Sequence, residues 1–149
     1  MLTLTERAEV ALREMTSESS WKCSRTFPAR PEQVSQAREF LSSALADCPI
    51  SMDAVLICSE LCTNAVLHTR SARPGGEFTV RAEARAGASV WIEVEDQGGR
   101  WMAGERCDEG GRGLEIVAAT ADYWEVDGDD IGRVVRARLD WRHDDRGKG

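Results

Sequence analysis

The chain has 149 residues, of which 42% are hydrophobic and 30% charged, as is usual for one globular domain. Its net charge of −7 and pI of about 4.9 argue against a nucleic-acid-binding surface, which requires a basic patch. The N-terminus has no signal-peptide pattern, and no apolar run approaches the roughly 20 residues of a membrane span. Because its five cysteines are odd in number and include no C-x-x-C pair, we expect a reduced, cytoplasmic protein without a zinc site. From the charge and the lack of a long apolar run, we expect no direct contact with nucleic acid or with a membrane.

Residues 1–20 are interpreted as an N-terminal extension. Thr3-x-x-Glu6 could be a capping box that opens a short helix. The apolar side chains of that helix would include Leu4, Leu12 and Met15, facing a partner surface. The segment could equally be a mobile arm, and the sequence leaves both alternatives open.

The domain proper is placed at residues 21–141 and begins with a strand and a helix. The strand is predicted from Trp21 to Phe27, and Pro28 ends it. Pro31 suits the first turn of the helix that follows. Apolar side chains recur along this helix at helical spacing, at Val34, Ala37, Leu41, Ala44 and Leu45.

A second helix, predicted from about Ser51 to His68, is apolar on almost every side and is therefore expected to be buried. Glu60 and Asn64 nevertheless lie one turn apart on the same side of it. An ionised glutamate is almost never fully buried without a partner. We therefore expect a cation, a polar ligand or an ordered water to contact both side chains. In the alternative, Glu60 reaches a wet edge and Asn64 bonds a loop carbonyl.

A β-hairpin is predicted after a turn at residues 71–76. Its first strand alternates apolar and polar residues from Phe78 to Arg85, and Gly87 lies in the turn. The return strand places Val90, Ile92 and Val94 on one face. Counting on by two places Asp96 on that same apolar face. A carboxylate that points inward requires a partner there.

Glycine is concentrated after the hairpin, where six of the 13 glycines lie between Gly98 and Gly113. Residues 100–109 show no apolar period and predict a loop. A helix is predicted to begin at Gly111-Arg112-Gly113-Leu114. Two strands are predicted next, at Tyr123–Asp127 and Arg133–Trp141. Residues 142–149 are predicted to be a polar, disordered tail.

Three of these stretches occur in the order of the N, G1 and G2 boxes of the Bergerat-fold ATPases and kinases: Glu60-x-x-x-Asn64, Asp96-Gln-Gly98-Gly99 and Gly111-Arg-Gly113-Leu114. The sequences of Ser59–Thr69 and Gly110–Asp122 resemble those of the small anti-sigma-factor serine/threonine kinases of that histidine-kinase-like superfamily. The resemblance covers roughly Trp21 to Leu139. The last glycine of the common D-x-G-x-G form of the G1 box is Arg100 here. The fold implied is an α/β (α+β) two-layer sandwich with a mixed, mostly antiparallel sheet and helices on one face.

The resemblance also implies a role for each box, with ATP and Mg²⁺ as cofactors. Asn64 would bind the Mg²⁺ that bridges the phosphates, and Glu60 would be the general base toward a serine hydroxyl or a water. Asp96 would accept a hydrogen bond from the adenine amino group, and Gly98 would let the backbone approach the base. Residues 99–110 would be the lid over the nucleotide. The phosphates would meet the N-terminus of a helix, at Gly111, Arg112, Gly113 and Leu114.

The function implied is that of a regulatory serine/threonine kinase. It would phosphorylate a small anti-sigma antagonist protein and, in its other partner state, sequester a sigma factor. Two alternatives use the same pocket: an ATP-binding interaction module that transfers no phosphate, and an ATP-hydrolysing switch with water as the acceptor. Relatives are often homodimers, so a homodimer is one candidate assembly.

Overall fold

A computed structural model describes residues 15–16, 20–46, 48–68, 73–98, 111–129 and 131–141. The N-terminal helix predicted at Thr3-x-x-Glu6, the lid at residues 99–110 and the tail at 142–149 lie outside these residues. The described part contains six strands and three helices, which are β1 (Met15–Thr16), β2 (Ser20–Pro28), α1 (Pro31–Ala44), α2 (Ser51–His68), β3 (Glu77–Arg85), β4 (Ser89–Asp96), α3 (Gly111–Thr120), β5 (Tyr123–Gly128) and β6 (Arg133–Asp140).

The strands form one sheet in the order β1-β2-β3-β4-β6-β5. Helices cover one face of this sheet, so the predicted two-layer α/β sandwich is confirmed. All pairings among the described strands are antiparallel, whereas the sequence analysis allowed a mixed sheet. The reason is that β6 returns from β5 through a tight turn, in which Asp129 N–H donates to the Gly132 carbonyl (2.8 Å). The turn makes β6 antiparallel to β5, and β6 pairs on its other edge with β4, also antiparallel.

Strands β3 and β4 form the predicted hairpin. Arg85 pairs with Ser89 next to the turn, and the register continues to Thr79 opposite Glu95. Gly87 adopts a φ of 76° in the turn, a conformation that costs glycine little. Alternate side chains along both strands are buried toward the helices. The period-two pattern extends to the last residue of β4, so Asp96 points inward as predicted.

The core lies between the helices and the sheet. Helix α2 packs against α1, α3 and the central strands. Phe27 stacks on Phe78 with ring centroids 5.5 Å apart, and Phe40 of α1 meets Phe27 edge-on at 5.9 Å. Each such buried side chain contributes about 1.5–3 kcal/mol. Cys58 and Cys62 of α2 are fully buried, which confirms their prediction as small core residues. None of the described helices combines the length and hydropathy of a membrane span.

Helix α2 is not buried on all sides, which corrects the prediction from its composition. Met52, Leu56 and Leu67 are 84%, 41% and 55% exposed. They lie on one side of the helix because their spacing is close to a multiple of 3.6 residues. The sheet and the two neighbouring helices bury the remaining sides of α2. The helical layer is one helix deep, so in the described part of the chain nothing covers the outer side.

Met15 lies in a strand rather than on the predicted helical face. It pairs with Trp21 at the start of β2, and Thr16 pairs with Ser20. Backbone hydrogen bonding at the edge of the sheet therefore decides the conformation of these two residues. The predicted helix therefore does not include Met15.

The face of the sheet opposite the helices is polar and carries ion pairs between strands. Arg136 Nε lies 2.6 Å from Glu93 Oε1, and its Nη1 lies 2.9 Å from Glu125 Oε1. Hydrogen bonds to these two carboxylates raise the pKa of Arg136 above its usual value. Arg81 Nη2 lies 3.0 Å from Glu95 Oε2 on the same face. These charges point away from the helices, whereas Asp96 at the end of β4 points toward them.

Candidate functional site

A small cavity between α2, α3 and the sheet contains residues from all three sequence boxes. The N box contributes Asn64, the G1 box Asp96, and the G2 box Leu114. The cavity has a volume of about 20 Å³ and is lined by Leu61, Asn64, Val94, Asp96, Leu114, Arg133 and Val135. Elements far apart in the chain thus place three of the predicted residues, Asn64, Asp96 and Leu114, around one point.

In this conformation the cavity is large enough for one water molecule, which needs about 10–15 Å³. A purine base is several times larger. In this conformation the cavity therefore admits a water molecule but not a base.

The Asp96 carboxylate is held in place at the end of β4. Gly98 N–H donates a hydrogen bond of 2.7 Å to Asp96 Oδ1. Gly98 has a φ of 72°, which a side chain would disfavour, so glycine suits this position. Burial raises the pKa of Asp96 from its ordinary 3.8 to about 6, although the Gly98 N–H and the Arg133 charge act in the opposite direction. At neutral pH the group is mostly an ionised, buried acceptor.

The raised pKa of Asp96 makes stability depend on pH. Because the folded pKa is about 6 against 3.8 ordinarily, the contribution of Asp96 to stability is fully present below about pH 4 and is lost as pH rises through 6. Asparagine cannot ionise, yet it keeps an oxygen that accepts from Gly98. Relative to wild type, the free energy of unfolding of Asp96→Asn should rise by about 1–3 kcal/mol between pH 4 and pH 7.

Denaturant titrations of both proteins across this pH range measure the effect. Titration of every other group is common to wild type and variant, so the difference isolates Asp96. A difference in unfolding free energy that stays constant with pH would contradict the raised pKa.

Glu60 lies one turn before Asn64 on α2, about 6 Å along the helix axis. Asn64 lines the cavity, whereas Glu60 is not among the lining residues and is half-buried toward the exposed side of α2. Solvent can therefore hydrate Glu60, and the expectation of an interior partner for it is corrected. The arrangement instead leaves this carboxylate outside the cavity lining and partly open to solvent.

Helix α3 begins at Gly111, so its first amide N–H groups form a helix N-terminus on the residues predicted to meet the phosphates. The side chain of Leu114 in the first turn reaches the cavity wall. The Arg112 side chain, like the predicted lid, lies outside what the structure describes.

A metal ion at this site would take most of its ligands from a bound nucleotide and from water. In the described residues, no three histidine, cysteine, aspartate or glutamate side chains cluster as metal ligands. Asn64 supplies one neutral amide oxygen, which suits Mg²⁺ when phosphates and water provide the other ligands. The residues present therefore fit a nucleotide-bound Mg²⁺ better than a metal held by protein alone.

Arg133 is a residue of the cavity that the sequence analysis did not select. It is 7% exposed and lies directly opposite Asp96, on the neighbouring strand β6. A signal was present in the sequence, because Arg133 shares the period-two face of Val135, Ala137 and Leu139. An arginine at an inward position of a strand, like an inward aspartate, requires a partner for its charge.

A two-layer sandwich with one cavity that joins the three boxes defines an ATPase domain of the Bergerat type. The profile of the family described as histidine kinase-like ATPase domain matches residues 27–139. The chain belongs to this family, and the superfamily resemblance found in the sequence is confirmed.

A solved structure shows the same fold. The chain is similar to the RsbU and RsbW domains of Rv1364c from Mycobacterium tuberculosis, with 20% identity over 79% of this chain and a TM-score of 0.63. It spans 32% of that longer chain. It is also similar to the histidine kinase domain of the blue-light activated histidine kinase from Erythrobacter litoralis EL346, with 25% identity over 61% of this chain and 44% of that one, and a TM-score of 0.46. None of the curated proteins compared with the chain matches it.

Proposed function

We propose that the chain binds ATP with Mg²⁺ and transfers the γ-phosphate to a serine or threonine hydroxyl of a small anti-sigma antagonist protein. In its other partner state it sequesters a sigma factor. The observation that carries the proposal is the placement of Glu60 and Asn64 one turn apart on α2, beside the cavity that contains Asp96. The ATPase family supports the use of ATP, and the resemblance of the boxes to anti-sigma-factor kinases supports a protein acceptor.

Different groups of the site contact the base, the phosphates and the metal. The Asp96 carboxylate accepts a hydrogen bond from the adenine amino group, and its anchoring by Gly98 N–H keeps that acceptor oriented. The amide N–H groups at the start of α3 face the phosphates. Asn64 holds the Mg²⁺, whose charge offsets that of the phosphate oxygens during transfer.

Phosphate transfer requires a base that both the nucleotide and the acceptor can approach. The acceptor oxygen bonds to the γ-phosphorus, the bond from that phosphorus to the β,γ-bridging oxygen breaks, and ADP leaves. Glu60 takes the proton of the acceptor hydroxyl. Glu60 is half-buried and borders the exposed side of α2, so the proposal has the partner protein approach it from solvent. A fully buried base would be accessible only to water or a small molecule.

The role of Asn64 predicts a loss of affinity that depends on the metal. Asn64→Ala should weaken ADP binding at least about tenfold with Mg²⁺ present and little with a chelator, because it removes an oxygen ligand of the cation. Calorimetry under both conditions measures this. Thr63→Ala is the matched control, since the Thr63 hydroxyl donates to the Ser59 carbonyl (2.8 Å) within α2. Equal losses with and without Mg²⁺ would argue against Asn64 as a ligand.

Incubation with ATP labelled on the γ-phosphate and with candidate partners from the same genome tests the function as a whole. The kinase moves label to a serine or threonine of the partner. Release of label to water identifies the hydrolysing switch. Nucleotide-dependent partner affinity without transfer identifies the interaction module. Homodimer formation and a cytoplasmic location stay predictions from the sequence.

A further inference from the structure

Two opposite charges are buried side by side at the candidate nucleotide site. Asp96 and Arg133 are the buried charged residues in the described part of the chain, each 7% exposed. They are paired residues on the adjacent strands β4 and β6. Both line the cavity that also contacts Asn64, and the Arg133 charge acts on the carboxyl of Asp96.

Packing alone does not require an arginine at this position. The other inward residues of β6, Val135, Ala137 and Leu139, are apolar and complete the core without charge. Removing a guanidinium from water costs several kcal/mol, and apolar replacements of buried ion pairs are often neutral or stabilising. The pair therefore points to a ligand that uses both charges.

We propose that Arg133 donates a hydrogen bond to N1 of adenine while Asp96 accepts one from the amino group on C6. An ionised carboxylate only accepts hydrogen bonds and a guanidinium only donates them. The two side chains thus present an acceptor beside a donor, and the edge of adenine presents the complementary amino donor beside the N1 acceptor. This inference rests on the proposed nucleotide binding, and it makes Arg133 a specificity-determining residue that orients the base.

The test compares ADP with 1-deaza-ADP, in which C–H replaces N1. Wild type should bind 1-deaza-ADP about 10- to 100-fold more weakly than ADP, the effect of losing a hydrogen bond to a charged group. Arg133→Met, similar in length and uncharged, should weaken ADP binding by a similar factor and bind the two nucleotides about equally. Arg133→Lys keeps a cationic donor and should retain part of the preference. The matched ligand control, 7-deaza-ADP, alters the opposite side of the base and should change affinity by the same factor in wild type and Arg133→Met.

The outcomes separate this inference from the function on which it rests. Equal binding of ADP and 1-deaza-ADP by wild type would overturn the role of Arg133, as would an Arg133→Met variant that discriminates as strongly as wild type. Thermal unfolding establishes that the variants are folded, and if Arg133→Met is not, the wild-type comparison decides. If wild type binds no ADP at all, nucleotide binding itself is wrong.

Discussion

Glu60→Ala is expected to lower phosphate transfer to the partner by a factor of about 10²–10⁴, the usual contribution of a positioned base. Nucleotide binding should stay largely intact, because Glu60 lies outside the cavity lining and acts on the acceptor proton. Single-turnover transfer of labelled phosphate measures the first effect, and calorimetry with ADP and Mg²⁺ measures the second.

Two further variants sharpen this experiment. Glu60→Gln keeps the shape of the side chain and removes its basicity, so it should lose nearly as much rate as Glu60→Ala. Asp53→Asn removes an exposed carboxylate from the first turn of the same helix and should transfer phosphate normally. If wild type and Glu60→Ala both lack transfer while ATP still changes partner affinity, the kinase proposal is wrong and the interaction module is correct.

Asp96→Asn is expected to weaken ADP binding by about 1.5–3 kcal/mol, or about 10- to 150-fold, the range for a hydrogen bond to a charged group. The variant should fold, since its amide oxygen can still accept from Gly98 N–H. Inosine diphosphate, which has a carbonyl in place of the amino group, is the matched ligand. Its affinity should not fall in the variant, because the asparagine amide can donate to that carbonyl.

Calorimetry with the two nucleotides tests the adenine assignment directly. Unchanged ADP affinity in Asp96→Asn would remove the assignment. Equal losses for ADP and inosine diphosphate would show that the variant perturbs the cavity without affecting base recognition.

Local pattern in the sequence was sufficient to predict most of the elements and the faces on which Glu60, Asn64 and Asp96 lie. The hairpin follows from alternating side chains around Gly87, and the inward position of Asp96 follows from counting by two along its strand. Helical spacing likewise places Glu60 and Asn64 on one side of α2. These features are set by the geometry of single elements, which neighbouring residues determine.

The tertiary structure decided which residues meet. The pairing of Asp96 with Arg133 requires β6 to lie beside β4, and that strand order comes from the turn between β5 and β6 together with pairings between distant segments. Whether a side of α2 is exposed depends on the number of layers that cover the helix. That number cannot be inferred from the composition of α2. Composition therefore overpredicted the burial of Glu60. Periodicity assigns a side chain to a face of its element, but the surroundings of that face depend on long-range packing.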